Sequence, residues 1–379
     1  VWLTVLITVM SVIVPVKAEG PEIEAPCAIL TEASTGRVIY EKNADESLHP
    51  ASITKIMTLL IIFDAIDDGS ISPEDTVTVS EHAASMGGSQ VFLEPGETQT
   101  IETMIKCIAI ASANDACVAM AEHISGSEDA FVQSMNERAE ALGMNNTHFV
   151  NCCGLDADGH MTTARDVAIM SRELIMAHPA IHDYSCIWMD TITHVTRRGE
   201  SEFVLNNTNK LLKQYEWATG LKTGSTSLAK FCLSATARRN DIELISVIMA
   251  SPSGKTRVSD SIALLNYGYG ICSLYHDNNM PSIDVIPIKG GIKSDISVEY
   301  SSQMNYLFTD KYDASLIESH AEYLEDLEAP VQKGDVIGQL TYTYDGKFMD
   351  SIDIIASESI EKAGYGDYIN SLWQCFLGN

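Results

Sequence analysis

The chain is poor in positive charge. It carries 24 Lys and Arg against 52 Asp and Glu, a formal net charge of −28 at pH 7. Phosphate backbones are bound by clustered basic side chains, so nucleic acid is excluded as a partner. Simple electrostatic attraction to anionic lipid is excluded on the same ground. Nine cysteines are present, an odd number, with no Cys-x-x-Cys pair and no recurrent spacing. That argues against a disulfide framework. Cys107, Cys117 and Cys232 lie in apolar surroundings and read as small buried hydrophobes. Metal-ligand patterns are missing too. His178 and His182 have i,i+4 spacing but no third ligand, so no metal site is expected there. There is no long repeat and no low-complexity tract.

What is present suits a globular, exported protein. Hydrophobic residues make up 45% and charged residues 20% of 379 residues, enough for one large domain and a smaller one. Residues 1–18 form an apolar run ending in Val16-Lys17-Ala18, a small-x-small cleavage pattern, and read as a secretory signal peptide. The run is also near the lower length limit of a membrane-spanning helix, so an uncleaved anchor is the other reading. No basic segment precedes the run and the first residue is not Met, so the natural start is expected upstream. Either way the body of the protein is expected outside the cytoplasm.

Periodicity gives a coarse layout. Cys27–Leu30 and Arg37–Glu41 read as a hairpin through Ser34-Thr35-Gly36. A strongly apolar run from Ile56 to Ile66 reads as a helix buried in the domain centre. Residues 101–142 look helical with a break at Ala111-Ser112-Ala113-Asn114-Asp115, and Thr163 opens another helix. Strands follow at 191–196, 203–205, 231–236 and 242–249, then a helix from Arg257 to Tyr267. Strands at both ends with helices between predict an α+β domain, an antiparallel sheet carrying a helical subdomain. Beyond about 280 the strands at 296–300, 306–308, 338–344 and 347–355 predict a small all-β domain. Its best turn is Asp345-Gly346. The expected division is 1–18 signal peptide, 19–278 catalytic domain, 279–360 β-rich domain and 361–379 an amphipathic C-terminal helix.

The chemistry centres on Ser52-Ile53-Thr54-Lys55, at the start of the buried run. On a helix, residues three apart share a face. Desolvation disfavours a charged amine, and a neutral lysine beside a serine hydroxyl is a general base beside a nucleophile. The same spacing recurs at Ser227/Lys230 and Ser359/Lys362, so spacing alone does not single out the first. Two further features do. Ser112-Ala113-Asn114 puts a hydroxyl and an amide at a helix break, and Lys222-Thr223-Gly224 precedes a strand. Ser-x-x-Lys, Ser-x-Asn and Lys-Thr-Gly in this order are the signature of penicillin-binding proteins and class A β-lactamases.

The flanks extend the likeness. Thr35 to Tyr40, Pro50 to Thr58, Ala111 to Ala116, Asn145 to Asn151, Thr162 to Asp166 and Gly220 to Gly224 resemble the D-alanyl-D-alanine carboxypeptidases. These are low-molecular-mass penicillin-binding proteins of the S11 serine peptidase family. The resemblance covers residues 24–275 closely and the β domain and tail more loosely. It implies a hydrolase that removes the terminal D-alanine from peptidoglycan stem pentapeptides, and that β-lactams acylate. Ser52 would be the nucleophile, Lys55 the general base, Ser112 a proton relay, and Asn114 a group that holds substrate or Lys55. Lys222, Thr223 and Gly224 would bind the substrate, with the backbone N–H of Ser225 in the oxyanion hole and Arg257 supporting the carboxylate site. A joint influence of burial and Lys222 on the base is also expected. No cofactor is implied.

The residues after the last motif, Ser225-Thr226-Ser227-Leu228, depart from relatives that carry an aromatic or histidine at the first or second of them. A β-lactamase would need a Glu-x-x-x-Asn element between the second and third motifs. None is evident, and β-lactamases lack a C-terminal β domain. Endopeptidase action on cross-links is the same chemistry, and a non-catalytic wall-binding protein is the remaining alternative. The tail has an apolar stripe from Tyr365 to Leu377, which in the family lies on the outer face of the cytoplasmic membrane. Here it has no Lys or Arg after Lys362, and packing on its own β domain is the competing reading.

Overall fold

The computed structural model describes residues 20–283, 285–367 and 369. The expected leader at 1–18 and most of the expected tail helix lie outside them. Ahead of the helical layer run strands β1 (Cys27–Glu32) and β2 (Val38–Lys42). The helical layer comprises α1 (Lys55–Asp67), a small pair β3 (Thr76–Thr78) and β4 (Thr98–Thr100) flanking α2 (Glu81–Ala84), then α3 (Ile101–Ala109), α4 (Asn114–Ser125), α5 (Glu128–Ala141), α6 (Ala164–Ala177) and α7 (Ile181–Ser185). A hairpin of β5 (Met189–Thr196) and β6 (Gly199–Asn206) leads to β7 (Ala218–Thr226), β8 (Lys230–Arg239), β9 (Ile242–Ser251) and the closing helix α8 (Gly254–Ile271).

The main sheet is antiparallel, with strand order β2-β1-β9-β8-β7. Both of its faces are covered. On β1, Cys27 and Ile29 join the core shared with α1 and α3 to α6, while Ala28 and Leu30 join the core under α8. β9 alternates in the same way, Val247 to one side and Ile248 to the other. A strand buried on both faces reads as a continuous apolar run rather than an alternation, which is how β1, β8 and β9 read in the sequence. The strand β7 did not read so. Its polar, Gly-rich residues Thr219-Gly220-Leu221-Lys222-Thr223-Gly224-Ser225-Thr226 give no apolar pattern, yet they form an edge strand paired with β8.

Helix α1 is buried nearly all round: Ile56, Met57, Leu60 and Ile62 have no exposed surface. α6 starts where expected, because the Thr163 side chain accepts the backbone N–H of Asp166, satisfying a helix-end donor. The helix break at 111–115 is a turn in which Ser112 adopts φ 63°.

The C-terminal part contains β10 (Ser273–His276), β11 (Ile286–Pro287), β12 (Asp295–Ile296), β13 (Val298–Tyr300), β14 (Asn305–Phe308), β15 (Ile317–Tyr323), β16 (Val336–Tyr344) and β17 (Lys347–Ala356). Its largest sheet has the order β13-β17-β16-β15. The turn between β16 and β17 is Asp345-Gly346, with φ of 49° and 70°. Two positive φ values are what a tight hairpin turn of this kind requires.

Candidate active site

The site is assembled where α1 begins. Residues Ala51–Thr54 form a single 3-10 turn, and Lys55 is the first residue of α1. Ser52 therefore sits one turn ahead of the α-helix rather than inside it, but the three-residue spacing still brings its hydroxyl to Lys55. Glycines on two neighbouring elements permit this turn's tight seating. A Cβ on Gly224 of β7 would lie 2.9 Å from the Ser52 nitrogen and 3.0 Å from the Pro50 carbonyl oxygen. A Cβ on Gly154, in the loop 151–159, would lie 1.9 Å from the Ala51 carbonyl oxygen.

Lys55 is fully buried. Its Nζ lies 3.1 Å from Ser52 Oγ, 2.7 Å from Asn114 Oδ1 and 2.6 Å from the Cys153 carbonyl oxygen. Asn114 cannot present its amide the other way round, because its Nδ2 donates to the Gly87 carbonyl at 2.7 Å. The loop carrying Gly87 is held in turn. Asn114 donates its backbone N–H to the Ser89 carbonyl, and the buried Asp115 carboxylate accepts the backbone N–H of Val91 and Leu93. Burial pushes the Asp115 carboxyl up from its usual range, against those hydrogen bonds. Ser112, two residues before Asn114, is 3% exposed at the turn between α3 and α4.

The loop 151–159 contributes through its backbone. Asn151 Oδ1 accepts the N–H of Gly154 at 2.7 Å and of Leu155 at 3.1 Å, folding the loop over the turn at Ser52. Cys152 and Cys153 then aim consecutive carbonyls at α1, the first to Thr58 Oγ1 and the second to Lys55. The loop's far side is tied to β7, where Thr226 Oγ1 donates to Asp156 at 2.6 Å. His160 closes it: Val150 donates its N–H to Nδ1 at 3.0 Å, which leaves the ring proton on Nε2, 2.8 Å from Thr54 Oγ1.

The third wall is β7. Lys222 is 1% exposed and donates to the Thr223 carbonyl. It is held well below the usual lysine range, first by burial and then by the Lys55 charge. The expected coupling between the two lysines thus falls on Lys222. Thr223 Oγ1 touches Thr208 Oγ1 at 2.6 Å. Arg257, on α8, donates to the carbonyls of Gly224 and Cys232 at 3.0 and 3.1 Å, bracing β7 against β8. Ser225 follows on the same strand, opposite Phe231.

The structure therefore brings Ser52, Lys55 and Asn114 together, with Ser112 on the turn, Lys222, Thr223, Gly224 and Ser225 on β7, and Arg257 on α8 around them. The carbonyls of Cys153 and Gly87, the side chains of Asp156 and His160, and Thr208 went unseen in the sequence. Backbone acceptors carry no residue signature; the only hint was Gly154 after the cysteine pair. Asn136, on α5, exchanges two hydrogen bonds with the Phe149 backbone and pins the start of this loop. His178 and His182 diverge, His178 to Asp64 and Asp67 and His182 to Glu243. Among the described residues no cluster suits a metal ion, and the eight described cysteines are unpaired.

Comparison with known proteins agrees with this geometry. Residues 14–253 match the family described as D-alanyl-D-alanine carboxypeptidase, and residues 275–362 match the penicillin-binding protein 5 C-terminal domain. D-alanyl-D-alanine carboxypeptidase DacF of Bacillus subtilis is 41% identical over 90% of this chain and 87% of its own length. DacA of Escherichia coli is 32% identical over 94% of this chain and 90% of its own. The crystal structure of penicillin binding protein 5 from Haemophilus influenzae superposes with a TM-score of 0.76 at 29% identity, covering 90% of this chain and 99% of that one. The fold expected from the motifs is the fold observed, and the chain belongs to the S11 peptidase family of D-alanyl-D-alanine carboxypeptidases.

Proposed function

We propose that the protein is a serine-type carboxypeptidase that removes the terminal D-alanine from peptidoglycan stem peptides ending in D-Ala-D-Ala. The observation that carries this is the set of partners around Lys55 Nζ. Asn114 Oδ1 and the Cys153 carbonyl can only accept. They hold Nζ in place 3.1 Å from Ser52 Oγ, the geometry of a base beside its nucleophile.

In this reading Ser52 Oγ attacks the carbonyl between the two D-alanines while Lys55 takes its proton. The oxyanion receives the backbone N–H groups of Ser52 and Ser225. As the tetrahedral species collapses, the carbon–nitrogen bond breaks and Ser112 relays the proton that Lys55 took to the departing amine of D-alanine. Lys222 and Thr223 hold that residue's carboxylate, on a strand that Arg257 keeps in place. Water then hydrolyses the ester on Ser52. A β-lactam acylates the same serine.

D-Alanine release from a pentapeptide ending in D-Ala-D-Ala tests the proposal. Turnover by the wild type and none by Ser52→Ala is expected; equal release by both would overturn it. Slow covalent trapping by ampicillin is expected as well, and rapid multiple-turnover hydrolysis would make the protein a β-lactamase.

We also propose that residues 1–18 export the chain, that residues 19–278 form the catalytic unit and 279–360 a β-rich unit, and that residues 361–379 contact the membrane from outside. Among the described residues no helix is long and apolar enough to cross a membrane; the apolar stripe of the tail is what supports surface attachment. Deleting residues 363–379 should move the protein from the membrane to the soluble fraction; unchanged membrane association would reject the tail as anchor.

A further inference from the structure

Thr208 lies in the segment Asn207-Thr208-Asn209, between β6 and a 3-10 turn at Lys210–Lys213. The segment is pinned with unusual thoroughness for a connecting loop. Asn207, 7% exposed, donates its side-chain amide to the carbonyls of Ser185 and Ile187. Asn209, 2% exposed, donates its side-chain amide to the Gly220 carbonyl on β7 and its backbone N–H to Asn207 Oδ1. Between them, Thr208 donates its backbone N–H to the Ile110 carbonyl, at the end of α3. What this scaffold delivers is one contact: Thr208 Oγ1 at 2.6 Å from Thr223 Oγ1.

Two hydroxyls in contact share one proton between them, so one must donate and the other accept. If Thr223 donated to Thr208, it would turn lone pairs toward the groove and repel an anion there. If Thr208 donates, the Thr223 proton is free to point at the anion, and the two hydrogen bonds polarise each other in the same direction. A carboxylate selects the second arrangement. We propose that Thr208 is a positioning residue for the terminal carboxylate of the substrate. It acts through Thr223, by supplying the proton that commits the Thr223 hydroxyl to donating outward, and so it sets the enzyme's preference for a free carboxylate over a neutral end. This rests on the reading that Thr223 grips the carboxylate.

The test compares acylation of Ser52 by a penicillin with acylation by the methyl ester of the same penicillin, which lacks the anion. Thr208→Val keeps the shape and removes the hydroxyl. It is expected to lower the acid-over-ester rate ratio about tenfold, the size of one oriented hydrogen bond, while the ester rate changes less than about twofold. Thr208→Ser should restore the ratio to within about threefold of wild type. A Thr208→Val ratio within twofold of wild type would overturn the proposal, as would equal losses on acid and ester, or a wild type with no preference for the acid. D-Alanine release by the wild type is measured separately. Its absence would remove the carboxypeptidase reading, while the penicillin ratio would still decide the role of Thr208.

Discussion

Gly154→Ala should disable acylation through a single methyl group. Gly154 has φ +87°, and a Cβ there would stand 1.9 Å from the Ala51 carbonyl oxygen, 2.4 Å from its carbon and 2.9 Å from the Ser52 nitrogen. Cβ atoms do not approach backbone closer than 3.0 Å, so the turn and the loop must part by 1.1 Å or more. None of the atoms met is the tip of a flexible side chain. The loop also holds the Cys153 carbonyl on Lys55, so parting moves Ser52 and Lys55 relative to each other. A displacement of about 1 Å in a reacting pair costs about 100-fold in rate. The fold should lose less, about 1–2 kcal/mol for left-handed alanine with about 1–3 kcal/mol of overpacking. Gly159→Ala is the control. Gly159 lies in the same loop with φ +80° and has nothing within 4 Å of a Cβ, so it carries the backbone strain without the collision. Labelling with a fluorescent penicillin should fall about 100-fold for Gly154→Ala and stay within about twofold for Gly159→Ala, with a few degrees lost in melting temperature for both. A folded Gly154→Ala that acylates within threefold of wild type would refute the reasoning. Equal losses in the two variants would put the cause in backbone strain, not in contact with the Ser52 turn.

Three further outcomes follow from the same geometry. Lys222→Ala should raise KM and also slow acylation by about tenfold or more, the cost of removing a charged hydrogen-bonding partner, and should alter the pH dependence of acylation; an effect on KM alone, with that profile intact, would show the two lysines to be uncoupled. Burial holds His160 down at about 4 against an ordinary 6.5, so between those values the unfolded chain binds the extra proton and folding stability must rise with pH, by about 3 kcal/mol across the window. Denaturant melts from pH 4 to 7 should show this slope in the wild type and a flatter one in His160→Gln; parallel slopes would locate the acid sensitivity elsewhere. Asp156→Ala, which releases the loop from Thr226, should slow penicillin acylation about two- to fivefold with a stability loss under about 1 kcal/mol, as an exposed hydrogen bond implies; an unchanged rate would mean the loop needs no tether to β7.

Legibility in the sequence divides along a physical line. The buried run after Lys55, the apolar strands β8 and β9, and the Asp345-Gly346 turn were readable because burial and backbone conformation restrict which residues can occupy them. Ser52, Lys55, Asn114 and Lys222 were readable because the chemistry proposed for them, proton transfer and anion binding, demands particular functional groups. β7 was not, because this edge strand is built of small and polar residues, Gly224 among them where the Ser52 turn packs against it, and these imitate a loop. The acceptors that hold Lys55 and Asn114 were not readable either, since any residue supplies a carbonyl. That gap has a consequence for where specificity of sequence resides. At Cys153 the working group is the peptide oxygen, and the thiol is incidental to holding Lys55; the constraint has been displaced one residue along, to Gly154, where the absence of a side chain lets the oxygen reach. The left-handed glycine, rather than the conspicuous cysteine pair before it, is therefore the residue of this loop on which the chemistry of Ser52 depends.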